Sequence, residues 1–141
     1  MSLFAVLYAT NPSTPEEAIA AAFPQHDVHG KTDMRHVQTD SLDASARLQT
    51  KPNFDLELLG FDSTISIYFV LDKLRSTDAR QQLAAAVRNF LSRTRGDTVV
   101  TYMDTIVLKR HSTIARCAAA YTDLLPADGA GWTVVPELEQ P

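Results

Sequence analysis

His26-Asp27-Val28-His29 places two imidazoles and a carboxylate within four residues, the stretch of this sequence whose residue types come nearest to a metal site. Its spacing does not suit one. Helical zinc motifs set histidines four apart on one face, whereas a separation of three along a strand turns the two rings to opposite faces. No metal and no cofactor is assigned, and His36 and His111 stand alone in the sequence. Nucleophilic catalysis needs a serine, threonine or cysteine held against a base, and there is no Gly-x-Ser-x-Gly elbow and no cysteine-protease context. None of the five glycines belongs to a Gly-x-Gly turn that opens a helix after a strand, so a dinucleotide has no cradle. Asp55-Leu56-Glu57 offers two acids for glycoside or phosphoryl chemistry but reads as a solvated strand edge. No catalytic residue is assigned, and the chain is expected not to be an enzyme.

Charge is the second chemical signal. The net charge of −4 is unevenly spread: residues 1–72 sum to −6, residues 73–110 to +5 and residues 111–141 to −3. The basic set is Lys73, Arg75, Arg80, Arg88, Arg93, Arg95, Lys109 and Arg110. At about 100° per residue the helical arginines spread around the axis, with no aromatic interleaving to stack bases, so they read as a solvated helix face. An acidic whole argues against general nucleic-acid affinity, although the basic middle leaves that reading as an alternative.

The elements that would carry these residues are unevenly legible. Leu3 to Ala9 is continuously apolar and closed by Asn11-Pro12, as expected of a strand buried on both faces near the middle of a sheet. Thr14-Pro15-Glu16-Glu17 supplies a cap, a proline at the first helical position and a glutamate three residues after the threonine, so a short helix should run to about Phe23-Pro24. From Gln25 to Asn53 the pattern is weak: Val28-Lys31 and Met34-Val37 hint at strands, and Leu42–Leu48 reads as a brief helical turn. Ile65, Ile67, Phe69 and Leu71 then alternate along a strand with one apolar face, leaving Thr64, Ser66, Tyr68 and Val70 to meet solvent or a partner. Ser76-Thr77-Asp78 can cap an amphipathic helix from about Asp78 to Arg93, marked by Leu83, Val87, Phe90 and Leu91. Arg95-Gly96-Asp97 stops it. Thr98–Met103 and Ile106–Arg110 read as a hairpin around Asp104-Thr105, although that pair lacks the glycine a two-residue loop usually wants. Ile114–Ala120 adds a strand or a short helical piece, Pro126–Gly131 is a loop, and Trp132–Val135 is a final edge strand.

A chain of 141 residues, 45% apolar and 21% charged, has the size and composition of one globular domain spanning residues 1–141. The expected fold is α+β: one mostly antiparallel sheet of about five to seven strands with two helices packed on one face. The start of the sequence lacks a basic leader and no apolar run approaches the ~20 residues needed to cross a bilayer, which predicts a cytoplasmic protein without a membrane partner. Cys117 is the only cysteine, so no internal disulfide can form.

The block Phe61–Lys73, the following helix, Gly96-Asp97-Thr98-Val99-Val100 and a hairpin ending Val107-Leu108-Lys109-Arg110 resembles the immunity proteins that accompany bacterial swarm-inhibition toxins. The apolar first strand, the Thr-x-x-Glu cap and a closing segment with Trp132 are similar to that family too. The hairpin differs, with Met103-Asp104-Thr105 where the family usually carries Asn-Gly. The resemblance implies neutralisation of a cognate toxin by tight binding, with no chemistry from this chain. Variable loops on a rigid scaffold can carry specificity, which directs attention to the acid-rich stretch with Asp27, Asp33, Asp40 and Asp43, and to Tyr68 on the exposed strand face. Two other readings are a nucleic-acid-binding or regulatory module using the basic helix, and a structural homodimer pairing sheet edges or the Tyr68 and Val70 face.

Overall fold

A computed structural model describes residues 3–49, 60–61, 63–126 and 131–140. The apolar run Leu3–Ala9 becomes strand β1, flanked on one side by β5 (Ile65–Leu71) and on the other by β6 (Thr98–Tyr102). Outward from β5 lie β4 (Leu42–Leu48), β3 (Met34–Gln38) and β2 (His29–Lys31); outward from β6 lie β7 (Thr105–His111), β8 (Ile114–Ala118) and β9 (Thr133–Val135). The sheet order is therefore β2-β3-β4-β5-β1-β6-β7-β8-β9. Neighbours are antiparallel except β8 and β9, which are parallel.

Nine strands replace the expected five to seven, and Leu42–Leu48 accounts for part of the difference. Ala44 and Ala46 favour helix in isolation, but Leu42, Ala44 and Ala46 are buried while Asp43 and Arg47 are exposed, a period of two. Full pairing with β5 from Leu42↔Leu71 to Leu48↔Ile65 overrides the local preference. The segment is a strand, not a helical turn.

Among the described residues, two α-helices, α1 (Pro15–Ala22) and α2 (Ser76–Arg93), lie on one face of the sheet, accompanied by 3-10 turns at Lys73–Arg75 and Ala119–Leu124. Thr14 caps α1: its Oγ1 accepts from the Glu17 N–H at 3.2 Å and donates to Glu17 Oε1 at 3.0 Å. Ser76 is the first residue of α2 and makes no cap; instead Asp72 accepts from the Leu74 N–H at 2.9 Å and starts the 3-10 turn that leads into the helix. The core between helices and sheet contains Leu7, Ile67 and Phe69 from the strands and Ile19, Leu83, Val87 and Phe90 from the helices.

Past the end of α2, Gly96 takes φ +99, and a Cβ there would come within 2.8 Å of both Asn11 Nδ2 and Thr10 Oγ1, so the chain turns against the exit of β1 only because this residue has no side chain. The β6–β7 turn is Met103-Asp104, with φ of 50 and 68, one residue earlier than Asp104-Thr105. Both residues sit in the left-handed region that Asn-Gly ordinarily fills. Anchoring compensates: the Met103 N–H donates to Phe4 O at 3.0 Å, and the Phe4 N–H reaches Met103 Sδ at 3.3 Å.

The second face of the sheet is half covered. Phe61, Val99, Ile106 and Leu138 form a separate buried cluster over β6 and β7. Gln140 fixes the tail there, accepting from the Ile106 N–H at 2.8 Å and donating to Ile106 O at 3.0 Å, as a neighbouring strand would.

Candidate partner-binding surface

On the remainder of that face, β1 and the strands outward through β5 to β2 show their second set of side chains. Tyr68 is 40% exposed and Val70 37%, despite lying in a central strand. Alternation explains this directly: Ile67, Phe69 and Leu71 take the helix-covered side, so Ser66, Tyr68 and Val70 must take the other. Tyr68 stacks on Phe4 of β1, with centroids 5.9 Å apart and planes 15° from parallel. Across the ladder Tyr68 stands opposite Ser45, and Val70 opposite Asp43. Ser45 in turn faces His36, which faces His29, and the two imidazoles lie 5.8 Å apart. The result is an aromatic and aliphatic centre with Asp43 and Gln38 at one end of the strands and Arg47 and Met34 at the other.

Of the residues singled out from sequence, Asp43 and Tyr68 come together on this face. Asp40 is in the β3–β4 turn and accepts from Gln82 Nε2 at 2.8 Å, with Arg75 at 3.5 Å. The Gln82 bond, helped by Arg75, holds its carboxyl below the usual range. Asp33 is exposed in the β2–β3 turn, at the opposite end of β3 from Asp40, and Asp27 is exposed in the segment before β2. The acids of residues 25–53 do not form one patch. Phe4 was not singled out because the unbroken apolar run Leu3–Ala9 hides which of its members face outward, and Met34 because the weak pattern of residues 25–53 does not declare a buried face.

The remaining chemistry-bearing residues are placed as follows. His26 packs edge-on against Phe23 at 5.4 Å, whereas His29 meets His36. His111 pairs with Asp97 at 2.9 Å and meets the edge of Phe61. Asp55-Leu56-Glu57 lies outside the described residues. Among the described residues, no three His, Cys, Asp or Glu side chains are grouped to hold a metal.

The helical arginines do not form a solvated face. Arg80 forks onto Asp123, Nε to Oδ2 at 3.2 Å and NH2 to Oδ1 at 3.0 Å, and lies over Tyr121 and Tyr102 at 4.5 and 5.4 Å. Partial burial pulls its pKa down, but the paired carboxylate outweighs this and the net shift is upward. Arg88 NH1 donates to Asp123 O at 2.7 Å. These bonds fasten the 3-10 segment to α2. Replacing Arg80 by alanine is expected to cost about 1–2 kcal/mol in urea unfolding, after allowance for its partial exposure. Lysine should recover under half of that, because it keeps the charge and loses the fork.

Cys117 lies beneath this clamp, fully buried, with Sγ 3.3 Å from Tyr121 O. Burial, reinforced by the Asp123 charge, pushes its pKa up to about 11. At pH 8 about one thiol in a thousand is ionised, so Ellman's reagent should leave it untouched until the protein is unfolded. The folded form holds this proton more tightly than the unfolded one. Its contribution is therefore complete below the ordinary thiol value of 9.0 and is lost as pH rises toward 11.

Among the described residues, these features define a two-layer α+β scaffold, helices on one side and a partly open sheet on the other. The SitI3-like family model matches residues 6–122, and the chain belongs to that family, whose members are immunity proteins to swarming-inhibition toxins. No curated protein and no solved structure matches the chain. Among the described residues, no helix is long and apolar enough to cross a membrane.

Proposed function

We propose that this protein neutralises a cognate bacterial toxin by binding it, and that the open face centred on Tyr68 is where the toxin docks. The carrying observation is the Phe4–Tyr68 stack with Val70 beside it, exposed in the middle of the sheet. A central strand has no edge to offer, so apolar side chains left bare on it are candidates for a partner to cover. Family membership names the kind of partner. From β1 to β2 the face is roughly 20 Å wide, at about 4.8 Å per strand, a width that suits an ordinary protein interface. An aromatic anchor ringed by Asp43, Ser45, His36 and Arg47 has the composition of a hot spot with a polar rim. Inhibition then follows from occupancy, by plugging the toxin's active site or holding it inactive. In this reading the chain supplies no catalytic group and needs no cofactor.

The nucleic-acid and edge-pairing alternatives have less support than toxin docking, and a second copy seated on the Tyr68 and Val70 face would show as a dimer in light scattering of the protein alone. Arg80 and Arg88 are spent on Asp123, which removes them from any nucleic-acid track. The edge strands β2 and β9 are three residues each, too short to pair strongly with a second copy.

The test is co-expression with the toxin encoded beside this gene. The expected result is rescue of growth and a stoichiometric complex on size-exclusion chromatography with light scattering. A protein that neither binds that toxin nor protects against it does not have this function.

A further inference from the structure

Arg75 is turned to Asp40, and Arg80 and Arg88 to Asp123; three other members of the basic stretch, Arg93, Arg95 and Arg110, gather at one place. They line a cleft at the C-terminal end of α2, together with Gly96, Ser112 and Trp132. These cations belong to the basic set of residues 73–110, and the sheet-face contact does not use them.

Arg110 is the fixed element of the cleft. Its Nε donates to Gly96 O at 2.8 Å, NH1 to Leu91 O at 3.2 Å, and NH2 to Thr94 Oγ1 and Thr98 Oγ1, both at 3.2 Å. All four acceptors are neutral, so these bonds hold the charge in place without themselves cancelling it. Burial lowers its pKa, and Asp97 opposes that shift. Asp97 is itself engaged, by His111 Nδ1 at 2.9 Å and the Ser112 N–H at 3.0 Å. Among the described residues, Arg93 meets only the neutral Asn89 Oδ1, at 3.4 Å. The Arg95 guanidinium makes no hydrogen bond or ion pair among the described residues. No aspartate or glutamate is among the described lining residues.

We propose that this cleft receives a carboxylate-bearing, acidic segment of the protein partner, a second contact that rests on the toxin-binding reading above. A guanidinium fork matches a carboxylate in two parallel bonds, and exposed Arg93 and Arg95 have donors to give. Half-buried Trp132 forms an apolar wall suited to the methylenes of a glutamate. A nucleic-acid backbone fits less well. It needs a basic track, and beyond this single cleft the chain is acidic, with a net charge of −4.

The direct test is a titration of blocked tetraglutamate into the full-length ¹⁵N-labelled protein. Saturable movement of the Arg93 and Arg95 Nε–H and Trp132 indole signals is expected. An Arg93→Ala/Arg95→Ala double variant should bind at least about tenfold more weakly, with its backbone spectrum otherwise retained. The proposal is overturned if wild type and variant respond alike, if blocked tetraglutamine moves the same signals, or if an oligothymidylate of equal charge binds more tightly than the peptide. A second arm uses the cognate toxin. If wild type protects and the double variant protects equally, with an unchanged association rate at low salt, the partner assignment falls. If wild type itself fails to protect, the toxin-binding reading falls, and the peptide arm still decides whether the cleft binds carboxylates.

Discussion

Replacing Phe69 by alanine should destabilise the protein by about 3–5 kcal/mol. The ring is completely buried in β5, with Ala5 of β1 opposite it on one side and Ala44 of β4 on the other. Those small neighbours leave the volume that Phe69 fills, and Phe23 at the end of α1 closes over it at 6.3 Å. Removing the ring leaves a cavity that cannot easily collapse, since β1 and β4 are each held to β5 along their full length. Against a total stability of roughly 5–15 kcal/mol this is a large fraction, and the melting temperature should fall by on the order of 10 °C. Phe69→Leu, closer in volume, should retain more of the stability. Urea unfolding followed by circular dichroism measures both. A loss below about 1 kcal/mol for alanine would mean that this ring is not where the helices and the sheet meet.

The legibility of Phe69 contrasts with that of Leu42–Leu48. A strand with Ile65, Ile67, Phe69 and Leu71 at alternate positions declares its buried face, because burial on one side only imposes a period of two. β1 and the body of α2 were legible for comparable reasons: an unbroken apolar run in one, Leu83, Val87, Phe90 and Leu91 at helical spacing in the other. In β4 the buried positions are Leu42, Ala44 and Ala46, and alanine is too small and too fond of helix to mark a strand, so the pairing with β5 decided. Met103-Asp104 shows the same dependence on distant contacts, because β1 holds a turn that its residue types do not favour. Side-chain commitments were the least legible. Nothing near Asp123 in sequence announces Arg80 and Arg88, which lie 43 and 35 positions away. The spread of arginines around α2 was readable; which of them would be left over at the cleft was not, since that depends on which partners the others find. The open face was half readable. Tyr68 and Val70 follow from alternation, whereas Phe4 and Met34 join them only through the register of β1, β3, β4 and β5.

The register gives the toxin-binding reading its sharpest test, because Tyr68 is the residue next to Phe69 and points the other way. Tyr68→Ala should leave the core intact and lose little more than its stack on Phe4, about 1 kcal/mol of stability at most. Its effect on binding should be far larger. An aromatic anchor at the centre of an interface costs about 2 kcal/mol or more when truncated, which corresponds to roughly a thirtyfold rise in the Kd for the cognate toxin, mostly through faster dissociation. Asp43→Ala, at the rim, should change the association rate and its salt dependence while altering affinity less. Phe69→Ala supplies the opposite control: it should weaken the fold strongly, while any molecules still folded keep an unaltered surface and bind as wild type does. Calorimetry or biolayer interferometry on the three variants, beside their unfolding curves, separates the two faces of one strand. If Tyr68→Ala binds the toxin as tightly as wild type, the open face is not the docking surface, even if the protein still protects. An affinity loss confined to Tyr68 and its neighbours would locate recognition on the side of the sheet that the helices leave bare.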